Sequence, residues 1–251
     1  MTDLLIHDIH RVLGPVPHDA SPTPTAAALV DDLDDLGVHS CSAVASWQLF
    51  GDPAGRNARH DGGIDPLSGS LAAGRITVVP VILPAAPGGG TPGPDAVLAA
   101  GIRLVRACPV RHRWSMDAHA AMTWWEALAD AGCTVGLDLG EVGFDGVARL
   151  ARAVPQLRIL ALAPGYRELR RCAELLEAHS CVVVETGSLN TAGGVEWLAG
   201  VAGAEQLAFG TGGPLADDAG PTHLLRRLEL PRDQVERIAS GTARDLLGVP
   251  A

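Results

Sequence analysis

A single (βα)8 barrel, an α/β fold, is the architecture this sequence predicts, and three observations predict it. The chain has 251 residues, close to the usual size of that fold. Eight short apolar runs, rich in β-branched residues, recur along it. The gaps between them are long enough for a crossover helix each, as parallel strands require. Residues 1–251 are therefore expected to form one barrel domain. Hydrophobic residues make up 47% of the chain and aromatic ones only 4%, so the core is built mainly from Ala, Val, Leu and Ile.

The strands are expected, in order, at 4–10 ("LLIHDIH"), 40–46 ("SCSAVAS"), 75–83 ("RITVVPVIL") and 102–108 ("IRLVRAC"). They continue at 134–139 ("TVGLDL"), 157–163 ("LRILALA"), 181–186 ("CVVVET") and 206–211 ("QLAFGT"). The first helix, "TAAALVDDLDDLG", has apolar spacings of three and four and stops at Gly37, a good C-terminal cap residue. A second runs from near Asp117 to Gly132. "YRELRRCAELLEAHS" and "TAGGVEWLAGVAG" follow, and "PRDQVERIASGTARDLLG" closes the chain. A doubly wound open sheet would want a glycine-rich phosphate turn after the first strand, and "RVLGPVPHD" is not one. The segment "PAAPGGGTPGPD" (84–95) reads as a surface linker or lid, because its prolines remove N–H donors.

Composition excludes several functions. The net charge of -10 argues against general nucleic-acid binding, which needs a basic face. All 19 basic residues are Arg, so no Schiff-base, pyridoxal-phosphate or carbamylated lysine exists. The five cysteines are odd in number and lack CxxC spacing, so buried thiols in a reducing cytoplasm fit better than disulfides. The N-terminus has no signal-peptide pattern, and no apolar run approaches the roughly 20 residues that span a bilayer. A cytoplasmic protein with a small-molecule substrate and neither nucleic-acid nor membrane partner is expected; a homo-oligomer is left open. The Arg-only, Ala/Gly-rich composition suggests a high-GC bacterial source.

The two ends of the chain carry a family resemblance. "DIHRVLG" at 8–14, "FGTGGP" at 209–214 and "SGTARDLLG" at 240–248 resemble the motifs D-x-H-x-H-x-G, F-G-S/T-D-x-P and G-N-A-x-x-L-L-G. These belong to amidohydrolase-related proteins, the branch holding metal-dependent hydrolases and nonoxidative decarboxylases. "VRACPVRHRWSMD" looks like that family's fourth-strand segment and "LRILALAPG" like its sixth, so the resemblance spans nearly the whole chain. It implies an amidohydrolase-like barrel with a metal site at the C-terminal ends of the strands. Position by position, Asp8 and His10 keep the first-strand Asp and His, but Val12 stands for the second His. Asp138 falls near the fifth-strand His, Ala163 near the sixth-strand His, and Gly212 replaces the eighth-strand Asp. Most of the metal site is therefore expected to be missing, since a catalytic zinc wants about three protein ligands. The expectation is no cofactor, with zinc or another divalent ion as the weaker alternative.

Strand ends are the default active site of such a barrel. His10 is the candidate general acid or base, and Asp8, two residues earlier on the same strand, its orienting carboxylate. Asp138 and Glu185 are candidates for an acid/base pair across the barrel; salt bridges to arginines are their plainer reading. "RHRW" puts Arg111, His112, Arg113 and Trp114 on one loop that could grip an anion. Trp47 and Trp114 are candidate pocket walls, and Thr211 ends the last strand. Trp124 and Trp125 read as helix packing, and His7, His18, His39, His60, His119, His179 and His223 as surface or helix residues. Three functions stay open: a metal-free hydrolase or lyase on a small organic anion; a metal-dependent hydrolase with substitute ligands from His10, Asp138, His112 or Glu185; and a non-catalytic binding protein.

Overall fold

In the computed structural model, residues 4–17, 23, 25–51, 53, 69–84 and 93–249 are described. Most of the expected loop at 84–95 lies outside them, as do His18 and His60. Strand β1 (His7–Leu13) leads to helix α1 (Ala26–Leu36), β2 (Ser40–Ala45) and the short α2 (Ser46–Phe50). β3 (Ser70–Leu71), β4 (Ile76–Val78), β5 (Val81–Ile82) and α3 (Pro94–Ala99) follow. Four regular units come next: β6 (Leu104–Ala107) with α4 (His119–Asp130), β7 (Thr134–Asp138) with α5 (Leu139–Ala153), β8 (Arg158–Leu162) with α6 (Leu169–Ala178), and β9 (Val182–Glu185) with α7 (Gly194–Ala202). β10 (Leu207–Ala208) precedes α8 (Ala219–Leu225), α9 (Arg232–Glu236), a π turn at Arg237–Gly241 and α10 (Thr242–Leu246).

The strands form two runs, β1-β2-β4-β3 and β10-β9-β8-β7-β6-β5, parallel throughout except for β3 against β4. The ladder is interrupted at two seams, and backbone hydrogen bonds cross both. At one, the N–H of Ile9 donates to Phe209 O (3.0 Å), that of Gly212 to His10 O (2.9 Å) and that of Val12 to Gly213 O (2.9 Å). At the other, β4 and β5 are one strand broken at Val79–Pro80: Val79 donates to Ala43 O (2.9 Å), and Pro80 O accepts from Arg106 (2.8 Å). Proline has no N–H, which explains the break in the ladder. The (βα)8 plan expected from the sequence is the plan observed.

Local chemistry fixes the ends of the elements. Thr25 caps α1 by accepting from the N–H of Ala28 (3.2 Å), and Gly37 ends it at φ 64°. Asp138 caps α5, a helix missing from the expected set, by accepting from the N–H of Gly140 (2.8 Å). β1 runs later than expected, to Leu13, and carries the first of the site residues. One apolar cluster fills the space between strands and helices, with Trp124 and Trp125 buried in it. A second, including Ile9, Val44, Leu104, Leu160 and Val183, fills the barrel interior. α10 covers the N-terminal ends of the strands: Leu246 O accepts from Thr134 Oγ1 (3.3 Å) and Asp245 O from Arg158 (2.9 Å). No helix among the described residues is long and apolar enough to cross a membrane.

One histidine differs from its sequence reading. His7 is not a surface residue; it is buried in β1, with Nδ1 2.8 Å from Ser40 Oγ and Nε2 2.9 Å from Ser42 Oγ. A histidine flanked by apolar residues on a strand is drawn inward with its strand, and two serines of β2 serve both ring nitrogens. Burial pushes its pKa down to about 4. The unfolded chain then takes up this proton at higher pH than the fold does, so stability is lost as pH falls from about 6.5 toward 4. The expected loss is about 3 kcal/mol across that window. Urea unfolding at several pH values measures it, and His7→Asn is expected to flatten the slope; an equal slope in that variant rules the assignment out.

Candidate active site

A bulge in β1 shapes the site. Asp8 pairs with Cys41 and Arg11 with Ala43, so three steps on β1 match two on β2. The alternation of faces breaks there, and Asp8 and Arg11, three apart, approach each other at 3.6 Å (Oδ2–Nη1). Asp8 is fully buried and accepts from the N–H of His10 (3.0 Å), the N–H of Thr211 (3.0 Å) and Thr211 Oγ1 (2.6 Å). Burial pushes its carboxyl pKa up, against the opposing pull of Arg11 and these hydrogen bonds. Asp8 therefore braces the backbone of β1 and the last strand end; it does not touch the His10 ring.

The carboxylate that orients His10 is Glu185, at the end of β9. Its Oε2 lies 2.9 Å from His10 Nδ1 and also accepts from the N–H of Ala163 (2.8 Å). Both side chains are buried, His10 at 7% and Glu185 at 1% exposure. Ala163 holds a left-handed backbone, φ 49°, which is strained for a non-glycine residue and aims its N–H at the carboxylate. Gly187 leaves the room required: a Cβ there would overlap Gly210 O and stand 2.7 Å from Glu185 Oε1. A carboxylate only accepts, so the shared proton sits on Nδ1 and Nε2 is the free nitrogen of the neutral ring. Nε2 has no hydrogen-bond partner among the described residues.

These groups open on a cavity of about 220 Å³ at the C-terminal ends of the strands. His10, Glu185, Asp138, Arg111 and Thr211 line it, as do the apolar side chains of Val12, Leu49 and Leu215. Trp47, His112, Arg113 and Trp114 are not among its lining residues. The "RHRW" loop is a tight turn: the N–H groups of His112 and Trp114 donate to Cys108 O and Pro109 O, each at 2.9 Å. It turns Arg113 outward at φ 59°, and Trp114 packs on Trp125, centroids 6.0 Å apart. Trp47 is buried in α2. Asp138 and Glu185 do not pair; Asp138 faces Arg106 at 3.7 Å. Sequence reasoning missed Arg106 and Cys108, which also line the cavity. Leu104, Arg106 and Cys108 share one parity of β6 and its continuation, so a lone Arg between inward apolar residues was the available signal. Cys108 is no nucleophile at neutral pH, since burial pushes its thiol pKa up to about 11.

The donor set does not fit a divalent ion. Val12, Ala163 and Gly212, where the resemblance expects ligands, all line the cavity and offer no side-chain donor. Asp8 is spent on Thr211, the His10 amide and Arg11, and Asp138 faces a guanidinium. Among the described residues no three His, Cys, Asp or Glu side chains converge as a metal site. A larger groove of about 890 Å³, lined by Leu4, Arg75 and Arg226, opens at the other end of the barrel. Its Arg75 and Arg226 donate to carbonyls at Leu36–His39, where α1 ends.

No family model and no curated protein sequence matches the chain. Solved structures do. The 5-carboxyvanillate decarboxylase of Sphingomonas paucimobilis superposes with a TM-score of 0.73 at 12% identity, over 99% of this chain and 100% of the other. A dihydroxybenzoic acid decarboxylase of Polaromonas sp. JS666, with bound manganese and the inhibitor 2-nitroresorcinol, gives 0.67 at 11% identity over 97% of each chain. An amidohydrolase of Mycobacterium avium subsp. paratuberculosis K-10 gives 0.63 at 18% identity, over 90% of this chain and 74% of the other. The chain therefore has the (βα)8 barrel fold that these solved structures share.

Proposed function

We propose that the chain is a hydrolase or lyase that works by acid/base catalysis on a small anionic organic molecule, as a single barrel domain and without a tightly bound metal. The observation that carries this reading is the His10–Glu185 pair, 2.9 Å apart and set on the wall of the mouth cavity. His10 Nε2 takes a proton from the substrate or from an attacking water and returns it to the leaving group or carbon. Glu185 keeps Nδ1 protonated and steadies the imidazolium formed in between, as a carboxylate does in other His-centred sites. The cavity's size restricts the substrate to a small molecule. Two structural neighbours are named for decarboxylation of small aromatic acids, which supports a small acid here. Five cysteines free of disulfides support a cytoplasmic setting.

The test pairs turnover with metal content. Purified protein, treated with chelator and checked by mass spectrometry for residual metal, is incubated with a panel of small organic acids, amides and lactones and followed by NMR. Conversion of at least one compound by metal-free protein is expected. One firmly held equivalent of zinc or manganese, or activity only on adding such an ion, rejects the metal-free reading. A non-catalytic role has one observation in its favour, the apolar replacements at Val12, Ala163 and Gly212, and a panel that yields binding without conversion selects it.

A further inference from the structure

Among the described residues two arginines are buried, and their surroundings differ. Arg11 is saturated with charge: its guanidinium meets Asp8 at 3.6 Å, Asp218 at 2.8 Å and Asp32. Arg106, on β6, is 6% exposed and has one carboxylate near it, Asp138, with Nη2 and Oδ2 3.7 Å apart. That is too long for a hydrogen bond. Its buried Nε has no partner among the described residues. Gly136 of β7 pairs with Arg106 and sets no side chain against its stem, where a Cβ would stand 3.9 Å from Arg106 Cδ. The side chain lines both the mouth cavity and the small void beneath it, so it forms the floor of the site. A buried cation with unspent donors is costly unless an anion completes it.

We propose that Arg106 is the anion-binding residue of the site, holding the carboxylate of a small substrate whose apolar body lies against Val12, Leu49 and Leu215. The inference rests on the reading of this cavity as the active site, and it moves the grip from the "RHRW" loop, of which Arg111 lines the cavity, to Arg106 at its floor. A planar guanidinium matches a planar carboxylate in charge and shape. Arg106 thus supplies the positive charge that the resemblance expects of a metal ion, for which the described residues offer no donor set. Asp138 competes weakly for it in the empty site.

Calorimetric titration with benzoate, and with benzamide as its neutral counterpart, tests this. Wild-type protein is expected to bind benzoate more tightly than benzamide. Arg106→Gln is expected to weaken benzoate about 10- to 100-fold and to leave benzamide unchanged. Asp138→Asn, which can still cap α5 through its amide oxygen, is expected to tighten benzoate severalfold, a gain that misfolding cannot mimic. The proposal is overturned if wild-type protein shows no saturable benzoate binding, if benzamide binds as well, if folded Arg106→Gln binds benzoate normally, or if Asp138→Asn fails to tighten it. His10→Asn separates this from the catalytic reading: benzoate affinity is expected to persist there while turnover is lost. Turnover retained in that variant overturns the acid/base assignment and leaves the anion site standing.

Discussion

Replacing His10 by Asn is expected to lower turnover by about 10²- to 10⁴-fold, the usual worth of a positioned general acid or base. Asn is close to His in size, so the small cavity keeps its shape while the transferable proton is lost. Among the described residues, Asp138 also lines the cavity but faces Arg106. Glu185 is taken up by Nδ1 and the Ala163 amide, and Cys108 stays protonated at neutral pH. Glu185→Gln is expected to reduce turnover by less. Its carbonyl oxygen can still accept from both His10 Nδ1 and the Ala163 amide, but its neutral amide no longer steadies an imidazolium. Rates of the best panel substrate, measured for all three proteins with KM and kcat separated, decide the matter. A His10→Asn enzyme within about threefold of wild type ends the assignment.

The fold was legible because it is written in repetition. Eight apolar runs with helix-sized gaps constrain the architecture many times over, so the three-residue displacement of β1 and the unseen helix α5 did no damage. The site was legible only in part, because it depends on single positions. His10 and Glu185 were both candidates, 175 residues apart, but nothing in the chain says that they meet. Asp8 was assigned to His10 by strand parity, a rule that one extra residue in a bulge defeats. Arg106 passed as part of an apolar strand, since a charged residue there looks incidental until its neighbours are known. The "RHRW" loop looked basic and grouped, yet its turn sends Arg113 outward and packs Trp114 on the helix layer. That Val12, Ala163 and Gly212 carry no donor side chain follows from their identity at motif positions and needs no geometry.

Arg11→Met is expected to destabilise the fold by about 3–5 kcal/mol, which lowers Tm by roughly 6–20 °C for a chain of this size. Arg11 and Asp8 are both fully buried, and Arg11 joins β1 to Asp32 of α1 and to Asp218 at the start of α8. Removing the cation strands the Asp8 carboxylate in the interior, whereas Asp32 and Asp218 are partly exposed and can turn to water. Burial already pushes the Asp8 pKa up, and without Arg11 that push goes unopposed by its nearest positive charge. A group whose folded pKa is raised binds its proton more tightly in the fold, so the variant regains stability as pH falls. The Tm gap between wild type and variant is therefore expected to narrow from pH 7 to pH 5; comparing the two proteins at each pH cancels the opposite trend of His7. Asp8→Asn placed on top of Arg11→Met removes the stranded charge, so the double variant is expected to lose less than the two single losses added. A gap that stays constant with pH, together with strictly additive losses, would mean that Arg11 acts through its packing and not by neutralising Asp8.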